Sequence, residues 1–372
     1  MQSPRSRFGL AWLFFSVNFA PLFALLTRME STMIELDGSM GEGGGQILRT
    51  SLALSLLTGR PFHLANVRAG RDKPGLQPQH LMSVRAAGTI GRAQTRGAAR
   101  GSTDLVFEPG VVTPGTYRFD VGTAGAVGLV LHTIYLPLAL AAQQPSEVTL
   151  IGGTHVRTAP CFHFLDITWR NYLAACGLGV SLKMLRPGFY PRGGGEVQAF
   201  LQPCTGLCGL TLPEHGPLRA TGFSAVAGLP ESIAERQARR ARFRLEQHDI
   251  EADLEVQTWQ GGPGTVLGIK LNTTPAPTFF FAIGARGKPA ERVADEAADA
   301  TLAYLAAWPN LVDAHSADQL ALPLALAQGP SEYHVAEVTR HLTTNIDVIR
   351  RFLDRKMECE GAEGSPGIVR IH

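Results

Sequence analysis

The chain has 372 residues, 45% of them hydrophobic and 18% charged, with a formal net charge of +2. That much apolar material builds more than one packed core and excludes a disordered chain, and two domains are the expectation for this length. So small a net charge excludes recognition of a polyanion or membrane surface by bulk electrostatics, leaving any such contact to locally placed arginines.

Residues 1–32 differ from the rest. Arg5 and Arg7 precede a mostly apolar stretch, Phe8 to Leu26, interrupted by Ser16, Asn18 and Pro21. No A-x-A cleavage site follows, and Met29 and Met33 stand just ahead of the first convincing strand, so the segment reads as a leader or a mis-assigned start outside the fold.

From Met33 the pattern is strand, glycine loop, helix, strand. Met33 to Asp37 reads as a strand, Gly41 to Gly45 as a loop, and Gln46 to Leu57 as a helix with Ile47, Leu48, Leu52 and Leu56 at helical spacing. Thr58-Gly59-Arg60-Pro61 stops it, and Phe62 to Val67 alternates as a strand. The order recurs with Phe119 to Val121, the small-residue loop Gly122 to Gly128, the apolar helix Leu129 to Ala142 and the strand Val148 to Ile151. A third unit is expected around Tyr190 to Val197, where a triple glycine returns after the helix Cys161 to Cys176. Residues 205–285 break the rhythm: strands at Leu218–Val226, Asp253–Thr258, Thr265–Leu271 and Thr278–Ile283 surround a charged helix, Glu231 to Gln247. The expected fold class is therefore α/β, with a small α+β insertion; the helix Pro289 to Ala307 then resumes the scaffold.

Glycine loops that feed helices offer an anion unpaired N–H groups and the positive end of a dipole. Glu42 sits inside such a loop, Met40-Gly41-Glu42-Gly43-Gly44-Gly45-Gln46. A carboxylate beside phosphate-seeking amides repels its ligand unless a divalent cation bridges them, which makes Glu42 a candidate metal ligand. The loop is neither a Walker A motif nor a dinucleotide fingerprint; by itself it is equally a turn that needs backbone freedom. Arg68 to His80 adds Arg68, Arg71 and Lys73 around a Pro and Gly frame, with Gln79 and His80 at the head of an apolar helix. This suits a terminal phosphate or pyrophosphate; a solvated loop would equally explain the charges, though it has no need for the rigid Pro and Gly frame. His315-Ser316-Ala317-Asp318-Gln319 opens another helix, where an acid and an amide either meet a nucleotide or cap the helix. His341, in Thr339-Arg340-His341-Leu342-Thr343-Thr344-Asn345-Ile346, is by itself an ordinary histidine. The arginines Arg236, Arg239, Arg240, Arg242 and Arg244 read as a solvated helix face before an RNA contact.

Five cysteines, Cys161, Cys176, Cys204, Cys208 and Cys359, are few and odd in number. This argues against a disulfide scaffold and for a reducing, cytoplasmic setting. Cys204-x-x-x-Cys208 has no second Cys or His pair at finger-like spacing and reads as two ordinary thiols.

Taken together, Gly41 to Arg49, Arg68 to His80, Gly152-Gly153-Thr154, Gly188 to Pro191 with Gly193-Gly194-Gly195, Ala317-Asp318-Gln319 and His341-Leu342-x-x-Asn345-Ile346 occur in an order and spacing that resembles the catalytic class of RNA 3′-terminal phosphate cyclases. The resemblance covers Met33 to Leu353. It implies a cyclase domain of three repeated α/β units, like the repeats of enolpyruvyl transferases, over 33–204 and 286–360. A smaller domain is inserted at 205–285, with a tail at 361–372. The implied activity is ATP-dependent conversion of an RNA 3′-phosphate to a 2′,3′-cyclic phosphodiester through a histidine–AMP adduct, assigning the nucleophile to His341. By the same resemblance Glu42 holds Mg²⁺ or Mn²⁺, and Arg49, Arg71, Gln79 and His80 surround the RNA end or the triphosphate. His315, Ser316, Ala317, Asp318, Gln319, His132 and Pro160 bind ATP. His132 replaces an expected glutamine, Cys161 the second proline of an Ala-Pro-Pro run, and His315 a frequent tyrosine, which bears on nucleotide preference. The expected partners are ATP and RNA ending in a 3′-phosphate, with no membrane; the oligomeric state stays open. Rival readings are a non-catalytic relative serving ribosome assembly and an enolpyruvyl-type transferase.

Overall fold

The alternation of Ile34 and Leu36 with Glu35 and Asp37 puts one face of the first strand, β1 (Ile34–Asp37), into the core. The chain then crosses through α1 (Gly45–Thr58) to β2 (Phe62–Ala65), which pairs in parallel with β1, Ile34 opposite Phe62. After α2 (Pro78–Gly91) come β3 (Gln94–Arg96) and β4 (Leu105–Glu108); β4 slots antiparallel between β2 and β3. The sheet order is β1-β2-β4-β3. The computed structural model describes residues 32–157, 159–210, 219–307 and 311–372. Nearly all of the expected leader, residues 1–31, lies outside them.

The same path is traced twice more. In the second unit β5 (Thr116–Asp120), α3 (Val127–Leu140) and β6 (Ser146–Gly152) are followed by a helical stretch. That stretch comprises α4 (Phe162–Phe164), a π-helical turn (Leu165–Trp169) and α5 (Arg170–Ala175), and leads to β7 (Val180–Arg186) and β8 (Gly195–Leu201). The sheet order is β5-β6-β8-β7.

An inserted unit comes next: β9 (Ala220–Ala227), α6 (Glu231–Glu246), β10 (Ala252–Trp259), β11 (Gly264–Leu271), β12 (Thr278–Ile283) and α7 (Ala290–Ala306). Its order, β10-β9-β11-β12, differs from the others. The third repeat is β13 (Leu311–Val312), α8 (Ala314–Ala325), β14 (Ser331–Val335), α9 (Arg340–Phe352), β15 (Met357–Glu360) and β16 (Gly367–Ile371), in the order β13-β14-β16-β15.

The architecture is thus α/β with three repeated units and a smaller inserted one, but the pieces are distributed differently from the sequence expectation. The triple glycine near Tyr190 belongs to the second unit, in the connection between β7 and β8. The third unit lies at the C-terminus. The expected tail, 361–372, supplies β16, which pairs with both β14 and β15. The helix expected to return to the scaffold after residue 285 is α7, which packs on α6, β11 and β12. Its Val293, Ala294, Ala297 and Tyr304 share a separate core with Leu245, Leu254, Leu267 and Ile269. This packing argues for an inserted unit that ends at Ala306.

The repeated units share one core, and their helices meet cyclically. α3 of the second unit packs on α2 of the first, α8 of the third on the π turn of the second, and α1 of the first on α9 of the third. α1 is the most enclosed: every residue from Ile47 to Leu57 is buried, as expected of a helix that is apolar nearly all round. Its hydroxyls are satisfied locally, Ser51 donating to the Ile47 carbonyl at 2.7 Å and Ser55 to that of Arg60 at 2.6 Å. Among the described residues, no helix is long and apolar enough to cross a membrane.

Candidate active site

Parallel βαβ crossovers place helix N-termini along one end of each sheet, and cyclic packing of the units turns those ends toward a common centre. A pocket of about 780 Å³ opens there. The first turns of α1 contribute Gly45, Gln46 and Arg49; α2 gives Gln79 and His80; α3 gives Leu129, His132 and Tyr135. Pro160 precedes α4, and Trp169 comes from the π turn. His315, Asp318 and Gln319 stand on α8, His341 and Asn345 on α9. Arg68, Arg71, Lys73 and Arg157 arrive on loops, giving the pocket a cationic rim next to N-terminal helix ends, an arrangement suited to phosphate.

The glycine run fixes the centre of this pocket, partly by leaving room for side chains. Gly41 and Gly43 have φ of 53° and 56°, in the left-handed region that glycine enters without penalty. A Cβ on Gly44 would fall 2.3 Å from Glu42 Oε1, and one on Gly45 would fall 2.4 Å from His80 Nε2 and 2.8 Å from the Arg49 guanidinium. The bare backbone therefore accommodates three polar side chains. Part of its donor capacity is already used: the Glu42 N–H donates to Thr344 Oγ1 at 3.1 Å and that of Gly43 to the Met40 carbonyl at 2.8 Å.

Thr344 is on α9, so this hydrogen bond ties the glycine loop to the helix that carries His341. Thr339 caps α9 by accepting the Leu342 N–H at 3.2 Å. His341, half exposed, points its Nε2 at Glu42 Oε2 across 3.3 Å, and Arg71 pairs with the same carboxylate oxygen. Glu42 itself is only 5% exposed in its side chain, and its Oε1 is buried without a hydrogen-bond partner. Behind them Arg49 donates to Gln46 at 2.6 Å, Gln46 to Thr50 at 3.1 Å, Thr50 to Asn345 at 2.7 Å, and Asn345 to the Asp318 carbonyl at 2.8 Å. This chain of bonds locks α1, α8 and α9 together beneath the pocket.

Electrostatics set the protonation states. Burial pushes His341 below the ordinary histidine value; Glu42 opposes this, while Arg49, Arg71 and His315 reinforce it. His80 and His132 are pushed down to about 3 by burial, with nearby Arg49 adding to the effect in both. All three imidazoles are neutral at neutral pH. Asp318 is pushed up to about 7 by burial, against the pull of Arg49.

The sequence of this chain matches, over residues 40–359, the family model for RNA 3′-terminal phosphate cyclase. The chain belongs to this family. The RNA 3′-terminal phosphate cyclase of Salmonella typhimurium is 43% identical over 342 residues, which cover 91% of this chain and 98% of that protein. That of Ralstonia nicotianae is 44% identical over 340 residues, 91% and 96% of the two chains. The one from Caldivirga maquilingensis is 43% identical over 336 residues, 88% and 94%.

Within this family member, the pocket gathers Glu42, Arg49, Arg71, Gln79, His80, His132, Pro160, His315, Asp318, Gln319 and His341 from the sequence expectation. It does not gather Ser316 or Ala317. On α8 the residues 315, 318, 319 and 322 share the pocket face, so 316 and 317 turn inward; both are buried, and the Ala317 carbonyl accepts the Tyr333 hydroxyl at 3.0 Å. Gln79 has one end committed, its Oε1 accepting the Ala126 N–H at 3.0 Å, which couples α2 to the start of α3. Arg157, Trp169 and Phe281 also line the pocket, although no motif in the sequence marks them. Trp169 packs 5.1 Å from the His132 ring, whose buried Nε2 has no partner.

Four of the five α6 arginines are engaged within the inserted unit, and Arg239 is exposed. Arg240 meets Asp295 at 2.7 Å, Arg244 meets Asp295 at 3.1 Å and Asp299 at 2.6 Å, and Arg236 lies 3.7 Å from Glu291. They bind α7 to α6, and Arg242 donates to the Leu254 carbonyl.

Proposed function

We propose that this protein is an ATP-dependent RNA 3′-terminal phosphate cyclase that works through a covalent histidine–AMP intermediate. The observation that carries this reading is the placement of His341: half exposed on the first turn of α9, neutral, 3.3 Å from Glu42 and inside a pocket edged by arginines. A neutral imidazole has a ring lone pair available without a strong base.

In the first step His341 forms a bond to the α-phosphorus of ATP, and the bond from that phosphorus to the bridging oxygen of pyrophosphate breaks. Arg68, Arg71 and Lys73 offset the charge of the departing group. A ring substituted on both nitrogens is a cation and a good leaving group. An oxygen of the RNA 3′-phosphate then takes the adenylyl group and His341 is restored. Finally the neighbouring 2′-hydroxyl, losing its proton, attacks the activated terminal phosphorus; AMP departs and the ring closes. Positioning by Arg49 and His80 is the protein's contribution to this last, intramolecular step.

For the nucleoside, His132, Pro160, Trp169, Phe281 and His315 offer apolar and aromatic walls, while Asp318 and Gln319 offer polar contacts. The unpartnered buried atoms His132 Nε2 and Gln319 Oε1 fit a base or sugar that supplies the missing hydrogen bonds. Glu42 Oε1, buried and unpartnered, is the atom of this chain that would hold a divalent cation beside the phosphates. Mg²⁺ or Mn²⁺ held there would screen the phosphate charge from the nucleophile.

Incubation with α-labelled ATP and Mg²⁺ is expected to leave an acid-labile, alkali-stable label on the protein. The label should be absent from His341→Ala, and a 3′-phosphate oligoribonucleotide should be cyclised where its 2′-deoxy-ended counterpart is not. No label on the unaltered protein would sink the adenylylation reading and favour a non-catalytic relative. Turnover of a 2′-deoxy end would rule out ring closure by the 2′-hydroxyl.

A further inference from the structure

The sequence His155-x-x-x-x-x-Cys161-x-His163 has no role in the site above, although it brackets the Pro160 wall of the pocket. The potential ligand atoms of these three residues all lie within 4.8 Å of one another. They form a single constellation of this kind among the described residues. His155 and Cys161 are buried, and His155 Nε2 stands 3.1 Å from His163 Nδ1. These two nitrogens are hydrogen-bonded to each other, and since two imidazole nitrogens on one tetrahedral zinc at ~2.0–2.1 Å each are separated by about 3.3–3.4 Å, an ion replacing that hydrogen bond would require them to part only slightly.

We propose that His155, Cys161 and His163 form a binding site for a thiophilic divalent cation of the zinc class, distinct from the phosphate-binding centre.

Three features support the assignment. A set of two imidazoles and one thiol suits zinc and disfavours magnesium or calcium, which prefer oxygen. The residue that orients a ligating histidine is in place: His155 Nδ1 is 2.8 Å from Thr154 Oγ1, which also accepts the Gly188 N–H at 2.9 Å. With Nδ1 protonated toward Thr154, the Nε2 lone pair faces His163 and the cation. The backbone is fixed as well, since the N–H groups of Thr154 and His155 both donate to the Gly188 carbonyl, at 2.9 and 3.0 Å. The Cys161 thiol is fully buried beside the two imidazoles. Binding replaces the S–H bond with a sulfur–metal bond and releases one proton to solvent.

The surroundings say what the ion would do. Phe189 stacks on His155 at 5.1 Å; Trp259 stacks on His163 at 5.3 Å, and Phe223 lies 4.5 Å from the same ring. Trp259 and Phe223 belong to the inserted sheet, so the ion would pin the loop leading to Pro160 where the second repeat meets that sheet.

The test uses the full chain, purified without a metal-affinity tag and stripped by chelation. Co²⁺ is titrated in while the thiolate-to-cobalt charge-transfer absorption is followed; Zn²⁺ then competes, and bound metal is counted by elemental analysis. One equivalent per chain is expected, with the band abolished in Cys161→Ala and in His163→Asn and retained in the double variant Cys204→Ser, Cys208→Ser. Saturating zinc should raise the Tm of the unaltered protein by about 5 °C and leave that of Cys161→Ala unmoved. Absence of the band in the unaltered protein, or its persistence in Cys161→Ala, would overturn the proposal. Neither readout depends on cyclase activity.

Discussion

The repeated units and the inserted unit are built from the same material, a four-stranded mixed sheet carrying two helices, yet they do different things. In each repeat the first two strands run parallel at one side of the sheet, and both helices send their N-terminal ends to the pocket. In the insertion β9 is flanked by β10 and β11, its helices clasp one another through arginine–carboxylate pairs, and only Phe281 reaches the pocket wall. A helix N-terminus by itself therefore does not make a site. Cyclic convergence does, because it brings several dipoles and their first-turn side chains to one point.

This contrast is broken most directly at His341. Replacing it with alanine should reduce adenylylation by on the order of 10⁴-fold or more while leaving the thermal midpoint nearly unchanged, since the side chain is half exposed; quantitative labelling and a melting curve check both halves. Gly45→Ala sharpens the role of the bare loop. Its Cβ displaces His80 or Arg49, so cyclisation should fall by roughly 100-fold with a stability loss of only about 1–2 kcal/mol, measurable by turnover and urea denaturation. Removing the charge of the loop's carboxylate probes the cation instead of the backbone. Glu42→Gln should shift the Mg²⁺ or Mn²⁺ concentration needed for half-maximal labelling upward by about 10-fold or more, read from a metal titration.

Asp318 gives a smaller effect with a definite sign. Its folded-state value of about 7 lies above the ~3.9 of an unfolded aspartate, so between those values the folded state holds more protons. Stability contributed at this position is present below pH ~4 and is lost as pH rises through 7. Asp318→Asn should accordingly gain stability relative to the unaltered protein as pH goes from about 4.5 to about 7.5, seen as a widening Tm difference. The smallest change is expected from the insertion: Arg236→Ala, Arg240→Ala and Arg244→Ala together should cost about 1–3 kcal/mol of stability and alter cyclisation less than about threefold. A large rise in KM for RNA would restore the RNA-contact reading of α6.

How far the sequence carries depends on which signal each element leaves. α1 is legible because its apolar residues follow a helical period and Gly59 ends it. The first two units are legible because a glycine or small-residue loop leads into a helix in both. The third unit escapes a reading based on such loops because it has none: β13 is two residues long, and Asp313 caps α8 through the His315 and Ser316 N–H groups. The triple glycine at 193–195 imitates a third loop because glycine signals backbone freedom without saying for what; Gly193 and Gly194, at φ of 66° and 67°, serve the connection between β7 and β8. Motif spacing singles out His341, Glu42 and Arg71, but it carries no sign that Ser316 and Ala317 face inward or that α7 pairs with α6. Those are consequences of packing between segments far apart in the chain.

The hydrogen bond from Glu42 to Thr344 spans 302 positions. It joins the beginning of the described fold to nearly its end, closing the ring of units where α1 meets α9. A ribosome making this protein has the glycine loop, the arginines and three complete sheets in hand long before Thr344 and His341 emerge. The nascent chain thus holds the arginine-bearing side of the pocket before the side that carries His341 exists, and the pocket is complete only once synthesis has nearly finished.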